Sequence, residues 1–303
     1  MRAVGCVVAA CLCAGWCGIA EGESIWNLQA VNADGKGIHE SLDWPDQYDP
    51  DHDELSECMV VIEGILLNSS EEYLDPGRTS PASQVYVQDD SGAGVAVYAG
   101  KWYQPDIWDA EYERLSKDPG TGHVFQAGDL VRVTGLTLFY KGKTNINERH
   151  EGDPECNVTI ELIAAGAGMP SAQLLPSVSV CNSFDQTRTT GGERYQGQWC
   201  RFGNVEMVGG TWAAGQIIQV SDNGMDTFDV LLSEMGDFSQ PAPTGRFSVT
   251  GLFDQEDDGV LPYADGYRLW VKSGAYFGEP VAEPTAGALF AIGVLMGLGR
   301  RRR

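Results

Sequence analysis

Groups able to do covalent chemistry are sparse in this chain of 303 residues. Its four histidines, His39, His52, His123 and His150, are scattered, and no HExxH pair sets two of them on one helix face to hold zinc. The sequence has no GxSxG elbow to expose a nucleophilic serine, no GxxxxGKS or GxxxxGKT phosphate loop, and no GxGxxG after a strand. With 43 Asp and Glu, carboxylate pairs arise by chance, so a glycosidase argument has nothing to select on. An acidic stretch at 43–57 places Asp49, Asp51 and Asp53 on the one-three-five spacing of an oxygen-ligand calcium loop. Glu54 then stands where that loop needs its turn-making glycine, and Val60 where it needs a bidentate glutamate. A solvated acidic loop is therefore the expectation, with no enzyme activity, no metal and no cofactor. The residues better suited to a ligand are Tyr86, Gln88, Tyr98, Trp102 and Tyr103, with Tyr140, Lys141 and Lys143 further on. Aromatic rings beside polar groups stack on sugar rings or on bases, although rings of this kind also build cores. Trp212 and Trp270 carry the same two readings.

The elements that position these residues are mostly strands. CMVVIEGILL (58–67) is aliphatic and β-branched, and QVYVQDD (84–90) alternates strictly. Asp90-Ser91-Gly92 supplies a turn into AGVAVYAG (93–100), and GDLVRVTGLTLFYKGKTNI (128–146) gives two more strands around Gly142. Between them, Ile107, Trp108, Glu111, Tyr112 and Leu115 fall at helical spacing, ended by Pro119-Gly120. Three strands, a helix and two strands form the order of a five-stranded Greek-key barrel of the OB type. A second pass follows: 197–210, 212–224, 228–232, RFSVTGLF (246–253) and YRLWVKS (267–273). RFSVTGLF matches LVRVTGLT (130–137), and the shared Val-Thr-Gly lies at 133–135 and again at 249–251. SEMGDFSQPAPT leaves almost no room for a helix in this copy. The expectation is a mainly β chain of two tandem OB-like barrels, at 21–165 and 177–278, joined by a linker at 166–176. VVIEGILLN, VYVQDDSGAGVAVY and ERYQGQWCRFGNVEMVG resemble the OB-like domains of exported bacterial proteins. That resemblance implies architecture only, since such folds host many functions.

The two ends read as addresses. MRAVGCVVAACLCAGWCGIA (1–20) has one Arg, an apolar stretch and small residues before a cut at Glu21, the pattern of a secretory signal peptide. Val8-Ala9-Ala10-Cys11 also resembles a lipobox, with an unusually short apolar stretch before it. At the other end (279–303), Glu283-Pro284 precedes the uncharged run Thr285–Gly299, followed by Arg300, Arg301, Arg302 and Arg303. As a helix that run reaches roughly 22 Å, short of a ~30 Å hydrocarbon core, and the arginines stay on the cytoplasmic side. This order resembles the PEP-CTERM sorting signal of exosortase substrates. Its usual Val-Pro-Glu-Pro here reads Val281-Ala282-Glu283-Pro284, without the first proline. The resemblance implies an exosortase-like membrane processing enzyme as partner, transient membrane anchoring by the tail, and a cell-envelope or extracellular destination.

Charge narrows the ligand. The chain carries −23, and without Arg2, Glu283 and the four terminal arginines it keeps 15 basic and 42 acidic residues, a net −27. Such a body repels polyanions. The favoured reading is a non-enzymatic exported protein that binds exopolysaccharide or another surface ligand. The alternatives are an accessory single-strand nucleic-acid binder using a patch at Arg114, Lys117, Lys141 and Lys143, or a hydrolase with an unrecognised site. Outside the leader four cysteines remain, an even number in an oxidising compartment. Three pairings are open; Cys58–Cys156 and Cys181–Cys200 are favoured because each stays inside one barrel.

Overall fold

The computed structural model describes residues 24–39, 59–77, 82–100, 108–147 and 157–281. In the first half these form α1 (Ile25–Leu28), β1 (Met59–Leu66), β2 (Ala82–Gln88), β3 (Gly94–Gly100), α2 (Trp108–Ser116), β4 (Leu130–Tyr140), β5 (Lys143–Asn147) and β6 (Thr159–Ala164). The sheet runs β1-β2-β3-β5-β4 and closes because β4 also pairs with β1. β3 and β5 are parallel, and all other neighbours in the ring are antiparallel. This is the five-stranded OB topology, with its helix between the third and fourth strands. The inward positions are aliphatic, among them Ile62, Val85, Val87, Val95, Val97, Val131, Val133 and Ile146. Trp108 and Leu115 of α2 and Phe125 complete that core.

The second half repeats the plan in β7 (Gln173–Leu174), α3 (Val178–Cys181), β8 (Trp199–Gly210), β9 (Ile217–Ser221), β10 (Phe228–Leu232), β11 (Arg246–Gln255), β12 (Tyr267–Val271) and β13 (Phe277–Gly278). The closed ring is β8-β9-β10-β12-β11, again with its third and fifth strands, β10 and β12, parallel. Among the described residues no helix stands between β10 and β11. Within the expected linker, Gln173–Leu174 pairs in parallel with β8, and Leu175 is buried in the second core.

The repeated Val-Thr-Gly falls at equivalent places. Val133, Thr134 and Gly135 face Ile62, Val61 and Val60 of β1, while Val249, Thr250 and Gly251 face Phe202, Arg201 and Cys200 of β8. One residue later each long fourth strand takes up its fifth-strand partner: Leu136 pairs with Asn147, and Leu252 with Trp270. The strands crowd at that corner. A Cβ on Gly135 would lie 2.6 Å from Ile146 Cγ2, and one on Gly251 would lie 2.5 Å from the Trp270 carbonyl oxygen. Only hydrogen fits, which gives the short repeat a steric reason.

One expectation is corrected here. Cys181 and Cys200 do not form a disulfide: both are free thiols, buried in the second core among Phe202, Tyr195 and Phe253. They pack as small apolar side chains, and burial pushes both thiols well up, away from the reactive thiolate. Cys58 and Cys156 lie outside the described residues, as do the leader, the acidic loop with Asp49, Asp51 and Asp53, and the tail with Glu283, Pro284 and Arg300 to Arg303. Among the described residues no helix is long and apolar enough to cross a membrane, and no group of three or more His, Cys, Asp or Glu could hold a metal.

Candidate functional site

The outward faces of the two barrels meet. Leu67, Tyr73, Tyr86 and Ala96 of the first form one buried cluster with Trp199, Leu252 and Trp270 of the second. The backbones touch at Gly94 and Gly197, where a Cβ on Gly94 would come within 1.9 Å of the Gly197 carbonyl oxygen. The β4–β5 hairpin docks alongside. Its two-residue turn has φ 49° at Lys141 and 97° at Gly142, the left-handed pair that such a turn demands. Lys141 O accepts from Asp257 N at 2.9 Å, and Gly142 O from Gln196 Nε2 at 3.1 Å. Gln196 Nε2 also reaches Glu193 Oε2 at 2.9 Å, and Tyr267 OH donates to Glu193 Oε1 at 2.7 Å. Burial pushes the Glu193 carboxyl up to about 7.

Asp254 is the electrostatic centre of the joint, 1% exposed. Its Oδ1 accepts from Tyr86 OH at 2.8 Å and from Lys143 Nζ at 2.7 Å, both in the first barrel. Its Oδ2 accepts from Arg268 Nε at 3.0 Å and Nη2 at 2.8 Å. Burial alone would raise this carboxyl, but Lys143 and Arg268 hold it below the usual carboxylate range. Arg268 Nη2 bonds Glu256 Oε2 at 2.6 Å, and Lys141 Nζ lies 3.5 Å from Glu256 Oε1.

Directly over this charge cluster the barrels leave a cavity of about 340 Å³. The first barrel supplies Gln84 and Tyr98 from β2 and β3, and Tyr140, Lys143, Asn145 and Asn147 from the β4–β5 hairpin. The second supplies Leu231, Glu234, Glu256, Arg268 and Trp270. Of the side chains expected to meet a ligand, Tyr98, Tyr140 and Lys143 line this cavity. Tyr86 and Gln88 do not. Tyr86 is buried with its hydroxyl on Asp254, and Gln88 Oε1 accepts from Trp199 N at 3.0 Å, so both serve the joint between barrels. Trp102 and Tyr103 lie outside the described residues. Trp212 packs against Phe238 and Phe277 on the second core. The four cations proposed as a patch stand on two elements, Arg114 on α2 with Lys117 just beyond it, and Lys141 and Lys143 on the β4–β5 hairpin. Lys117 pairs with Glu113 and borders a different cleft, while Lys141 and Lys143 pair with Glu256 and Asp254.

Sequence reasoning missed Asp254, Glu256, Arg268, Gln84, Asn145 and Asn147. Alternation does carry a signal for Arg268, a charged residue at an outward position of the otherwise apolar β12, and a weaker one for Asp254, which alternates outward with Leu252 on β11. What it cannot carry is the pairing of Asp254 with Lys143 from the other barrel.

No protein-family model matches the chain, and no curated protein matches it. Among solved structures it is similar to a replication protein A heterotrimer bound to single-stranded DNA, at 12% identity, with a TM-score of 0.29. The match covers 81% of this chain and 54% of that one, so the chain spans about half that structure's length. So distant a likeness lends no argument about a ligand; the OB assignment stands on the strand order of each barrel.

Proposed function

We propose that this is an exported, non-enzymatic binding protein of the cell envelope or matrix, sorted through its leader and PEP-CTERM-like tail, that holds an exopolysaccharide or another uncharged surface ligand between its two barrels. The observation that carries the reading is the character of the cavity. Aromatic faces (Tyr98, Tyr140, Trp270) stand beside amides (Gln84, Asn145, Asn147), which is the mixture that suits the apolar and hydroxylated sides of a sugar. The cations there are already matched: Lys143 and Arg268 by Asp254, and Arg268 and Lys141 by Glu256. A phosphate backbone would have to displace those carboxylates, against a chain charge of −23. Access argues the same way. An open track for a single strand would run over the β2–β3 face, and Tyr86, Gln88 and Ala96 of that face lie beneath the second barrel.

Titration calorimetry with neutral glycans and with a single-stranded oligonucleotide, at low and high salt, tests the binding reading. Salt-insensitive glycan binding lost in Tyr98→Ala and Tyr140→Ala is expected. Tight binding of the oligonucleotide that falls steeply with salt, or liberation of reducing sugar from the glycan, overturns it. Fractionation of the producing cell tests the sorting; full-length chain in the cytosol with both ends intact would contradict it.

A further inference from the structure

The β4–β5 hairpin both walls the cavity and docks on the second barrel, and Gln196 is where it docks. Gln196 Nε2 stands within hydrogen-bond reach of three acceptors: Gly142 O at the hairpin tip at 3.1 Å, Glu193 Oε2 at 2.9 Å, and Gln255 Oε1 of β11. A primary amide has only two hydrogens to give. Gln255 Nε2 is turned toward Asp265 O at 2.8 Å, which fixes its oxygen on the side of Gln196. Gly142, Glu193, Gln196 and Gln255 are all buried, so bulk water does not make up the shortfall.

The charge on Glu193 decides which acceptor goes short. As a carboxylate it draws one amide hydrogen into a charge-assisted bond, the stronger kind, and Gly142 O and Gln255 Oε1 share the other. As a neutral acid it accepts less strongly and brings a hydrogen of its own, so the hairpin carbonyl keeps its donor. Two titratable groups face it: Arg188 from the preceding loop, and Tyr267 of β12, whose hydroxyl donates to Glu193 Oε1. Burial lowers Arg188 only to about 10 and raises Tyr267, so each keeps one charge state between pH 6 and 8. Arg194, next in sequence, is exposed and donates to Thr189 O. Asp257 and Asp265 act on Tyr267, and Lys141 of the hairpin pairs with Glu256. Burial, opposed by Tyr267, Arg188 and Gln196, brings the Glu193 carboxyl up to about 7, so both of its states are populated near neutrality. Lys143 stays on Asp254 in either state, which confines any loosening to the hairpin tip, where Tyr140 lines the cavity.

Resting on the binding reading above, we propose that Glu193 is a proton-operated latch on the cavity. Neutral, it leaves Gln196 to hold the β4–β5 tip in place and the ligand is retained; ionised, it claims that amide, the tip loosens and the ligand is released.

The test uses the full chain at pH 6 and pH 8. Hydrogen–deuterium exchange, corrected for the intrinsic effect of pH, is read over residues 138–147 and, as a control, over α2. The hairpin is expected to lose about fivefold in protection at the higher pH, the worth of one neutral hydrogen bond, with α2 unchanged. Glu193→Gln, which mimics the neutral acid, is expected to protect the hairpin equally at both. Calorimetry with cellobiose, maltose and lactose is expected to show about fivefold weaker binding at pH 8 in the wild type and no such change in the variant. Should Glu193→Gln fail to fold by thermal melting, Tyr267→Phe decides: it removes a donor to the carboxylate, so the transition moves to higher pH, and an unmoved transition overturns the latch. A hairpin indifferent to pH, an equal response in Glu193→Gln, or a response shared by α2 overturns it too. Disaccharides bound equally at both pH values overturn the control of the cavity and leave the carbohydrate reading standing. A responsive hairpin with no saccharide bound at either pH removes the carbohydrate reading while the latch on the hairpin stands.

Discussion

The two barrels share a strand order but fill the gap between third and fourth strands differently. In the first, α2 occupies it and lowers Trp108 and Leu115 into an aliphatic core. In the second, a helix-free connection brings Phe238 onto Trp212 at 5.4 Å between ring centroids, Trp212 stacks edge-on to Phe277 at 4.8 Å, and the indole Nε1 donates to Gln240 O at 2.8 Å. The second core is correspondingly aromatic, with Phe202, Phe228, Phe247, Phe253 and Tyr267. The barrel needs apolar volume at that mouth, and either a helix or a ring cluster supplies it. Their outward faces differ in a way that makes them complementary: the first offers Lys143 with tyrosines and amides, the second offers Asp254, Glu256 and Arg268. At the joint each barrel carries what the other lacks.

That comparison can be broken most forcefully at Asp254. Asp254→Ala leaves Lys143 and Arg268 buried without their shared carboxylate, and a loss of about 3–5 kcal/mol in denaturant unfolding is expected. A loss under about 1 kcal/mol would show that the joint does not depend on this charge. Next comes the backbone contact. Gly94→Ala drives a Cβ against the Gly197 carbonyl, which no rotamer can relieve, and about 3 kcal/mol is expected. Gly92→Ala, two residues away at φ 83° with open space around it, isolates the backbone strain alone at about 1 kcal/mol. Equal effects from the two glycines would mean that the barrels separate freely.

A third test concerns pH. Glu193 is raised from 4.5 to about 7 by burial, so between those values the folded chain binds more protons than the unfolded one. Stability from this group is complete below about pH 4.5 and is lost as pH rises through 7, on the order of 3 kcal/mol in all. Glu193→Gln should abolish that decline and leave the protein more stable than wild type at pH 8. Asp254 and Glu256, both held below the usual range, act in the opposite sense, and their contribution disappears as the solution is acidified. The smallest effect belongs to Arg132 and Glu63, which pair at 2.6 Å across β4 and β1 of the first barrel with both side chains about half exposed. Arg132→Ala should cost no more than about 1 kcal/mol, which calibrates exposed pairs against the buried one in the joint.

Much of the architecture was legible before any coordinates. Strict alternation located β2 and β3, helical spacing around Trp108 located α2, and the second Val-Thr-Gly announced a second barrel. The site was legible only in part. Tyr98, Tyr140 and Lys143 were recognisable as aromatic and cationic residues near strand ends. Tyr86 is identical in type to two of them and Gln88 is polar on the same strand face, yet both are covered, because periodicity tells which way a side chain leaves a strand and not what stands opposite. Cys181 and Cys200 misled for a related reason: even counts suggest a bridge, while the packing of a core sets whether two sulfurs approach.

The sequence alone determined the strand alternation, the hairpin turns, the duplication and the acidic balance, since these follow from side-chain type and short-range spacing. Tertiary structure alone decided that the two outward faces would close on each other around Asp254 and leave a cavity between them. A contact between positions 143 and 254 depends on how two separately closed sheets are oriented. No local preference encodes that orientation; it is set by the shapes and charges that become adjacent only after both barrels have formed.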